Sequence, residues 1–468
     1  MNESWRQRTV AQNVNYPDEE QLNSVVDQLK TLPGLVSHVE IERLREQLAK
    51  AADGKAFLLQ CGDCAELFSY CNPAQIEAKL KLMLIMSLVI IYGARMPVVR
   101  VGRIAGQYAK PRSKPTEIVD TPEGKREVLS FRGDNVNGIA LDERQPDPQR
   151  LLLAYFYSAA TLNYIRSTLA SGFADLHAPH LWSFQHVRSE RLQAEFERIA
   201  DAITDSLDFI RTVGADPTGD SNVLNTVDYF TSHEGLMLEY ESALTRETPA
   251  GVYDLSAHTV WLGDRTRQLD GAHVEFVRGI RNPIGIKVGP SMEPMELVAV
   301  LDRVNPTYEK GRVVLISRYG AAKIEALLPG HIRAVNSSPH AGTVVWCCDP
   351  MHGNTIQSET HAGLKTRLFS NIVTELVAAL RIHAAEGSRL GGVHLELTGD
   401  VGVTECMGGS MQLSDSDLAR NYQSHCDPRL NYEQSLDIAF ILSEVIRAQR
   451  LGRTDDASAV LINALGHE

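Results

Sequence analysis

No apolar run in this sequence is long enough to cross a bilayer. The longest, Leu82 to Tyr92, is far shorter than the about 20 residues a spanning helix needs, so it reads as a buried helix. The first residues, Met1 to Arg6, lack the basic-then-apolar order of a signal peptide. Cysteine is sparse, with 7 in 468 residues, odd in number and irregular in spacing, which argues against a disulfide framework and for a reducing compartment. The expected location is cytoplasmic. Cys61-Gly62-Asp63-Cys64 has redox or zinc-motif spacing, but no second such pair follows, which excludes a zinc ribbon. Positive charge is in deficit, with 46 Lys and Arg against 59 Asp and Glu and a net charge of -13, so a nucleic-acid surface is excluded. There is also no internal repeat and no low-complexity linker to divide the chain into independent domains.

What is present is a 43% hydrophobic composition with only 22% charged residues, enough for a large buried core. Eight short apolar runs each lead into residues that do chemistry. They are Ala56–Gln60 into Asp63 and Cys64, Pro97–Val101 into Arg103, Val227–Phe230 into His233 and Glu234, and Val252–Leu255 into His258. The other four are Ile284–Ile286 into Lys287, Arg312–Ile316 into Arg318, Thr343–Trp346 into Asp349 and His352, and Gly392–Leu395 into Glu396. Short β-branched runs separated by helix-length segments predict parallel strands with crossover helices, and eight of them predict an α/β fold closed as a (β/α)8 barrel. Such barrels carry their active sites at the strand C-terminal ends, where these residues fall.

A typical barrel needs roughly 250 residues, so arms and insertions must absorb the rest. Residues 1–55 read as an N-terminal helical arm with helices at Glu19–Leu32 and Val39–Ala52, punctuated by Pro33-Gly34. The barrel then occupies 56–450, with an insertion at about 107–226, and 451–468 form a C-terminal tail. The insertion begins rich in Pro, Gly and charge, as expected of a surface segment folded over the strand ends, and continues with helical periodicity at Gln149–Ser171 and Ser189–Val213. A second loop, Gly399–Asp427, precedes a closing helix at Tyr432–Arg450.

Three groups of residues carry the chemistry. Cys64, His352, Glu396 and Asp427 offer a thiolate, an imidazole and two carboxylates, a mixed-softness set suited to Mn²⁺, Co²⁺, Fe²⁺ or Zn²⁺ and ill suited to Mg²⁺. Singly, such residues are commonly a core thiol or a solvated charge; only a closed barrel brings them together. Arg103, Arg265, Lys287 and Arg318 form a cationic group fit for a substrate with at least two negative charges. Lys110-Pro111-Arg112-Ser113, after the second strand, is a stiffened turn able to clasp a second phosphate. The adjacent Cys347 and Cys348, in one strand, should point to opposite faces.

At these residues the chain resembles the class II 3-deoxy-D-arabino-heptulosonate 7-phosphate (DAHP) synthases, from about Ala56 to Arg447. The segments carrying the resemblance are Gly62–Glu66, Gly102–Ser113, Ser256–Trp261, Arg265–Gln268, Asp349–Thr355 and Cys426–Asn431. The resemblance implies a barrel that condenses phosphoenolpyruvate with erythrose 4-phosphate and releases phosphate, the entry to the shikimate pathway and aromatic amino acid biosynthesis. It implies a divalent metal on Cys64, His352, Glu396 and Asp427, Mn²⁺ or Co²⁺ foremost, with Zn²⁺, Fe²⁺ or Cd²⁺ as further candidates. Phosphoenolpyruvate would be held by Arg103, Lys110, Arg265, Lys287 and Arg318, with Asp264 standing where the family carries Glu, and the sugar phosphate by Arg112 and Ser113. Arg103, Lys287, Glu234 and His352 would act at the reacting atoms, with the proton carrier open between Glu234 and the Asp349/His352 region. A homodimer or homotetramer and aromatic feedback effectors are implied through the arm and the insertion helices. Two alternatives stand beside this reading: a paralogue making a secondary-product DAHP or aminoDAHP, and a catalytically inactive barrel serving as a regulatory binding partner.

Overall fold

The computed structural model describes residues 3–121, 124–171, 190–212 and 227–452. Eight strands close into a parallel barrel in sequential order: β1 (Phe57–Gly62), β2 (Val98–Arg103), β3 (Phe230–Glu234), β4 (Thr259–Leu262), β5 (Ile284–Val288), β6 (Val313–Ser317), β7 (Val345–Cys348) and β8 (Leu390–Glu396). Each is wholly or nearly wholly buried, as parallel strands covered on both faces must be. Helices follow every strand, and none among the described residues is long and apolar enough to cross a membrane.

Seven of the eight strands overlap their predicted runs. The fourth does not. Val252–Leu255 instead falls in a two-stranded antiparallel hairpin, Gly251–Asp254 against Thr245–Thr248, and the barrel strand is the next run, Thr259–Leu262. The reason is spacing: too few residues separate the two runs for a crossover helix, so only one can join a parallel sheet. The winner is the run whose Val260, Trp261 and Leu262 are all buried. His258 consequently stands before the strand rather than at its end. It accepts the Thr231 N–H at 2.9 Å and lies 3.9 Å from Glu40 of the second arm helix, at the opposite pole from the site.

That arm helix, His38–Ala52, is the floor of the barrel. Its Leu44, Leu48 and Ala51 pack into the interior layer with Leu58, Val101, Phe230, Val314, Ile316 and Cys347. Cys347 faces this interior and Cys348 the outer ring, the opposite placement the strand period requires. Helices at Glu19–Thr31, Gln149–Ala170, Glu190–Thr212 and Tyr432–Arg450 occupy the predicted stretches. The first part of the insertion also holds a hairpin, Thr116–Thr121 with Gly124–Leu129, where loop was expected; its alternation is too polar to read as strand. The 451–468 tail lies almost wholly outside the described residues.

Register aligns the chemistry at one end. Gly62 pairs with both Arg103 and Glu396, and Ile316 with Lys287. Gly62, at φ +149°, has no room for a side chain, since a Cβ would sit 2.5 Å from the Arg103 carbonyl.

Candidate active site

A cavity of about 550 Å³ opens at the C-terminal ends of the strands. It is lined by Cys64 after β1, by Arg103, Gln107 and Lys110–Lys114 from the end of β2 and its loop, and by Glu234 of β3. The opposite wall carries Trp261 and Gly263–Arg265, Lys287, Arg318, His352, Thr355, Lys365 and Asp427. Thr116 and Glu117 of the insertion hairpin complete its rim. Glu396 is fully buried behind this wall.

Arg103 is buried and aimed by four acceptors: the carbonyls of Asp63 (2.8 Å) and Cys64 (3.0 Å), Oε1 of Glu396 (3.1 Å) and Nε2 of His394. Its guanidinium lies 5.1 Å from the Trp261 ring centroid and Lys287 Nζ lies 5.9 Å from it, so one indole contacts both cations. Lys287 is paired with Asp349, which also accepts from His352 Nδ1 at 2.7 Å. Burial lowers the Lys287 pKa despite that partner, while His352 and Lys287 hold Asp349 well below the carboxylate range against its own burial. Glu234 differs: burial raises its carboxyl, and its Oε1 has no hydrogen-bond partner.

The four metal-ligand candidates meet here in two pairs. Cys64 Sγ and Asp427 Oδ2 are 3.9 Å apart, and Lys110 Nζ touches both, at 2.8 and 2.6 Å. His352 Nε2 and Glu396 Oε1 are 3.1 Å apart. Glu396 Oε2 lies 2.9 Å from Arg367 but outside hydrogen-bonding geometry, so this buried oxygen keeps no hydrogen bond. Despite burial, His352 and Arg367 hold Glu396 well below its usual pKa, and Lys110 does the same for Asp427. As the side chains stand, no ready-made cage of three His, Cys, Asp or Glu exists among the described residues. The Lys110 ammonium occupies the space between the first pair. The donor chemistry, a thiol, an imidazole and two carboxylates, nevertheless fits a divalent cation.

The remaining cations line the outer half. Arg265 donates to Ser113 Oγ at 2.7 Å, Arg112 is paired with Glu117, and Arg318 donates to the His352 carbonyl at 2.8 Å and lies 3.8 Å from Asp264. Lys114 and Lys365 also face the cavity and were not anticipated. Lys365 and Arg367, two apart on a short strand, share a face by strand period, and both turn to carboxylates of the site, Lys365 to Asp427 at 2.9 Å and Arg367 to Glu396. Trp261 was likewise missed as a wall.

Buried carboxylates fix the loops. Glu66 accepts the N–H groups of Ala105, Gly106 and Gln107 at 3.0, 2.9 and 2.9 Å, and Gln107 Oε1 accepts the Glu234 N–H at 2.8 Å. Glu405 receives the Ser424 and Arg429 N–H groups at 2.9 and 2.7 Å, on either side of Asp427. Asp63, by contrast, is consumed by Lys79 and Arg429 and does not reach the cavity. His233 also faces away, 2.8 Å from Glu241, because Glu234 beside it takes the inward position.

The Class-II DAHP synthetase family model matches residues 1–443. Phospho-2-dehydro-3-deoxyheptonate aldolase of Neurospora crassa is 53% identical over 464 residues, covering 96% of this chain and 94% of that one. The protein of the same name from Streptomyces coelicolor is 46% identical over 450 residues, covering 95% and 97%. A third, from Mycolicibacterium smegmatis, is 45% identical over 428 residues, covering 90% and 89%. Likeness to solved structures is weak: a truncated DAHP synthase from Thermotoga maritima gives a TM-score of 0.34 at 11% identity over 85% of this chain and 88% of that one, too little to support an argument.

Proposed function

The chain belongs to the class-II DAHP synthetase family, and from that premise we propose how this cavity performs the family's reaction. It is a DAHP synthase, a transferase that condenses phosphoenolpyruvate with erythrose 4-phosphate and releases phosphate. The observation that carries the residue assignments is the convergence, in one cavity, of a metal-type donor set with cations on both sides.

Phosphoenolpyruvate lies between Arg103, Lys287 and Arg318, with Lys110 and Arg265 completing the grip on its phosphate and carboxylate and Asp264 steadying Arg318. Two buried cations beside Trp261 are relieved by an anion and are already desolvated for it. Arg112 and Ser113 hold the phosphate of erythrose 4-phosphate at the outer rim, which points its aldehyde inward. Cys64, His352, Glu396 and Asp427 hold a divalent metal, Mn²⁺ or Co²⁺ foremost, which when bound supplies Lewis-acid polarisation of the aldehyde.

C3 of phosphoenolpyruvate attacks that aldehyde, water adds at C2, and phosphate leaves by C–O cleavage. Glu234 is the better-placed proton carrier: burial favours its protonated form and Oε1 is unpartnered, whereas Asp349 is held anionic by His352 and Lys287. Assembly as a homodimer or homotetramer belongs to the same reading, supported by Leu153 and Phe156, exposed on the insertion helix Gln149–Ala170.

The test follows loss of the enol absorbance with phosphoenolpyruvate and a panel of three-, four- and five-carbon aldose phosphates. Erythrose 4-phosphate should turn over fastest, and Arg112→Ala should raise its KM more than that of phosphoenolpyruvate. No consumption with any aldose phosphate would overturn the assignment.

A further inference from the structure

Arg318 and His352 belong to different loops, and one buried side chain reaches both. Glu375, on the helix Phe369–Ala385, has no exposed surface. Its Oε1 accepts the backbone N–H groups of Tyr319 (2.8 Å) and Gly320 (2.9 Å), which directly follow Arg318. Its Oε2 accepts from Nδ2 of Asn354 (2.8 Å), in the segment that carries His352. Asn354 extends the link in both directions, donating to the Pro350 carbonyl (2.8 Å) and accepting the Ala321 N–H (2.9 Å).

The two loops touch where no side chain is allowed. Gly320 has φ +86°, and a Cβ there would lie 2.6 Å from the Gly353 carbonyl oxygen; a Cβ on Gly353 would run into the Gly320 nitrogen. Above this crossing the functional groups meet, Arg318 donating to the His352 carbonyl at 2.8 Å.

The bonding partners of Glu375 are all neutral donors. A buried carboxyl without a cation is costly, and burial pushes this one up to about 7. An apolar side chain here would leave the Tyr319 and Gly320 N–H groups without this acceptor. What the carboxyl adds is three acceptor bonds that bind one loop to the other.

We propose that Glu375 is a positioning residue that locks the β6 and β7 loops together and so fixes Arg318 relative to His352. The anion grip and the metal-binding end of the cavity then form as one unit. This rests on the reading given under Proposed function.

Glu375→Gln is the informative change. Its carbonyl oxygen can still accept from Tyr319 and Gly320, but its NH₂ then faces Nδ2 of Asn354. Because turning Asn354 over would break its bonds to Pro350 and Ala321, the variant cuts the Glu375–Asn354 bond and leaves those two in place. KM for phosphoenolpyruvate and the Kd for Mn²⁺, the latter by calorimetry, should each rise about tenfold, while KM for erythrose 4-phosphate stays within about twofold. A folded variant with all three constants within about twofold of the parent would reduce Glu375 to a structural group and overturn the proposal. If Glu375→Gln fails to fold, Asn354→Ala removes the Glu375–Asn354 bond together with those to Pro350 and Ala321 and is held to the same split. A parent protein that binds Mn²⁺ but turns over no aldose phosphate would overturn the assigned reaction instead, leaving the Mn²⁺ comparison to decide the role of Glu375.

Discussion

Lys287 and Arg103 both lie against the same indole, and each is buried. Removing either cation should therefore do more than weaken a surface pair. Lys287→Met should cost about 2–5 kcal/mol of phosphoenolpyruvate binding or transition-state stabilisation, read from kcat/KM, because the anion loses a desolvated partner. Glu234 acts at another step. Glu234→Gln keeps the shape and the contact with Gln107 but cannot carry a proton between groups, so kcat should fall about 10²- to 10⁴-fold with KM nearly unchanged. Cys64→Ala tests the donor set: Mn²⁺ or Co²⁺ should restore activity to the chelator-treated parent and not to the variant. Full activity in Cys64→Ala would remove the thiol from the ligand set.

The elements that hold the barrel together are the helices Pro73–Ala94 and Tyr432–Arg450, which pack side by side on its outer wall. They approach closely at Gly93, where any Cβ would run into Oγ and the backbone carbonyl of Ser443. Backbone cannot give way as a flexible side chain can. Gly93→Val should thus destabilise the protein by about 1–3 kcal/mol, seen as a lowered denaturation midpoint, without changing either KM. The insertion hairpin has the opposite role, with exposed strands but a Glu117 that bridges Arg112 and Arg144. Its sequence looked like loop because its stabilising partners lie across the rim rather than along the strand.

For the molecule as a whole, acid should act first through buried neutral histidines. Burial lowers the pKa of His258, His273 and His394, and takes His383 from 6.5 down to about 3. A depressed folded pKa means that the unfolded chain binds more protons between the two values. The stability these groups contribute is complete above about pH 6.5 and is lost as pH falls toward the folded value. Glu375, raised to about 7, works the other way, its contribution growing as pH falls from about 7 to 4.5. The two are separated by difference: His383→Gln should flatten the fall in Tm between about pH 6.5 and 4 relative to the parent. An identical slope would mean that His383 is protonated in the folded state.

Apolar periodicity and length were enough to determine a barrel, its helices and the end at which the chemistry collects, because burial of β-branched runs is a local property of the chain. The helix Tyr432–Arg450 was legible to the residue, since its Asn431 cap and its apolar stripe are both written in sequence. Tertiary structure decided what depends on competition. Val252–Leu255 and Thr259–Leu262 are equal candidates for β4 until the sheet admits only one. Asp63, His233 and His258 are as reactive in type as Glu234 or His352, yet they turn to Lys79 and Arg429, to Glu241, and to the Thr231 N–H on the barrel floor. Trp261, Lys365 and Arg367 enter the site through packing, and Glu375 enters through hydrogen bonds to two loops that the sequence keeps apart. Residue type states which chemistry a side chain can do, whereas strand parity, loop crossings and the nearest counter-charge decide whether it faces the cavity to do it.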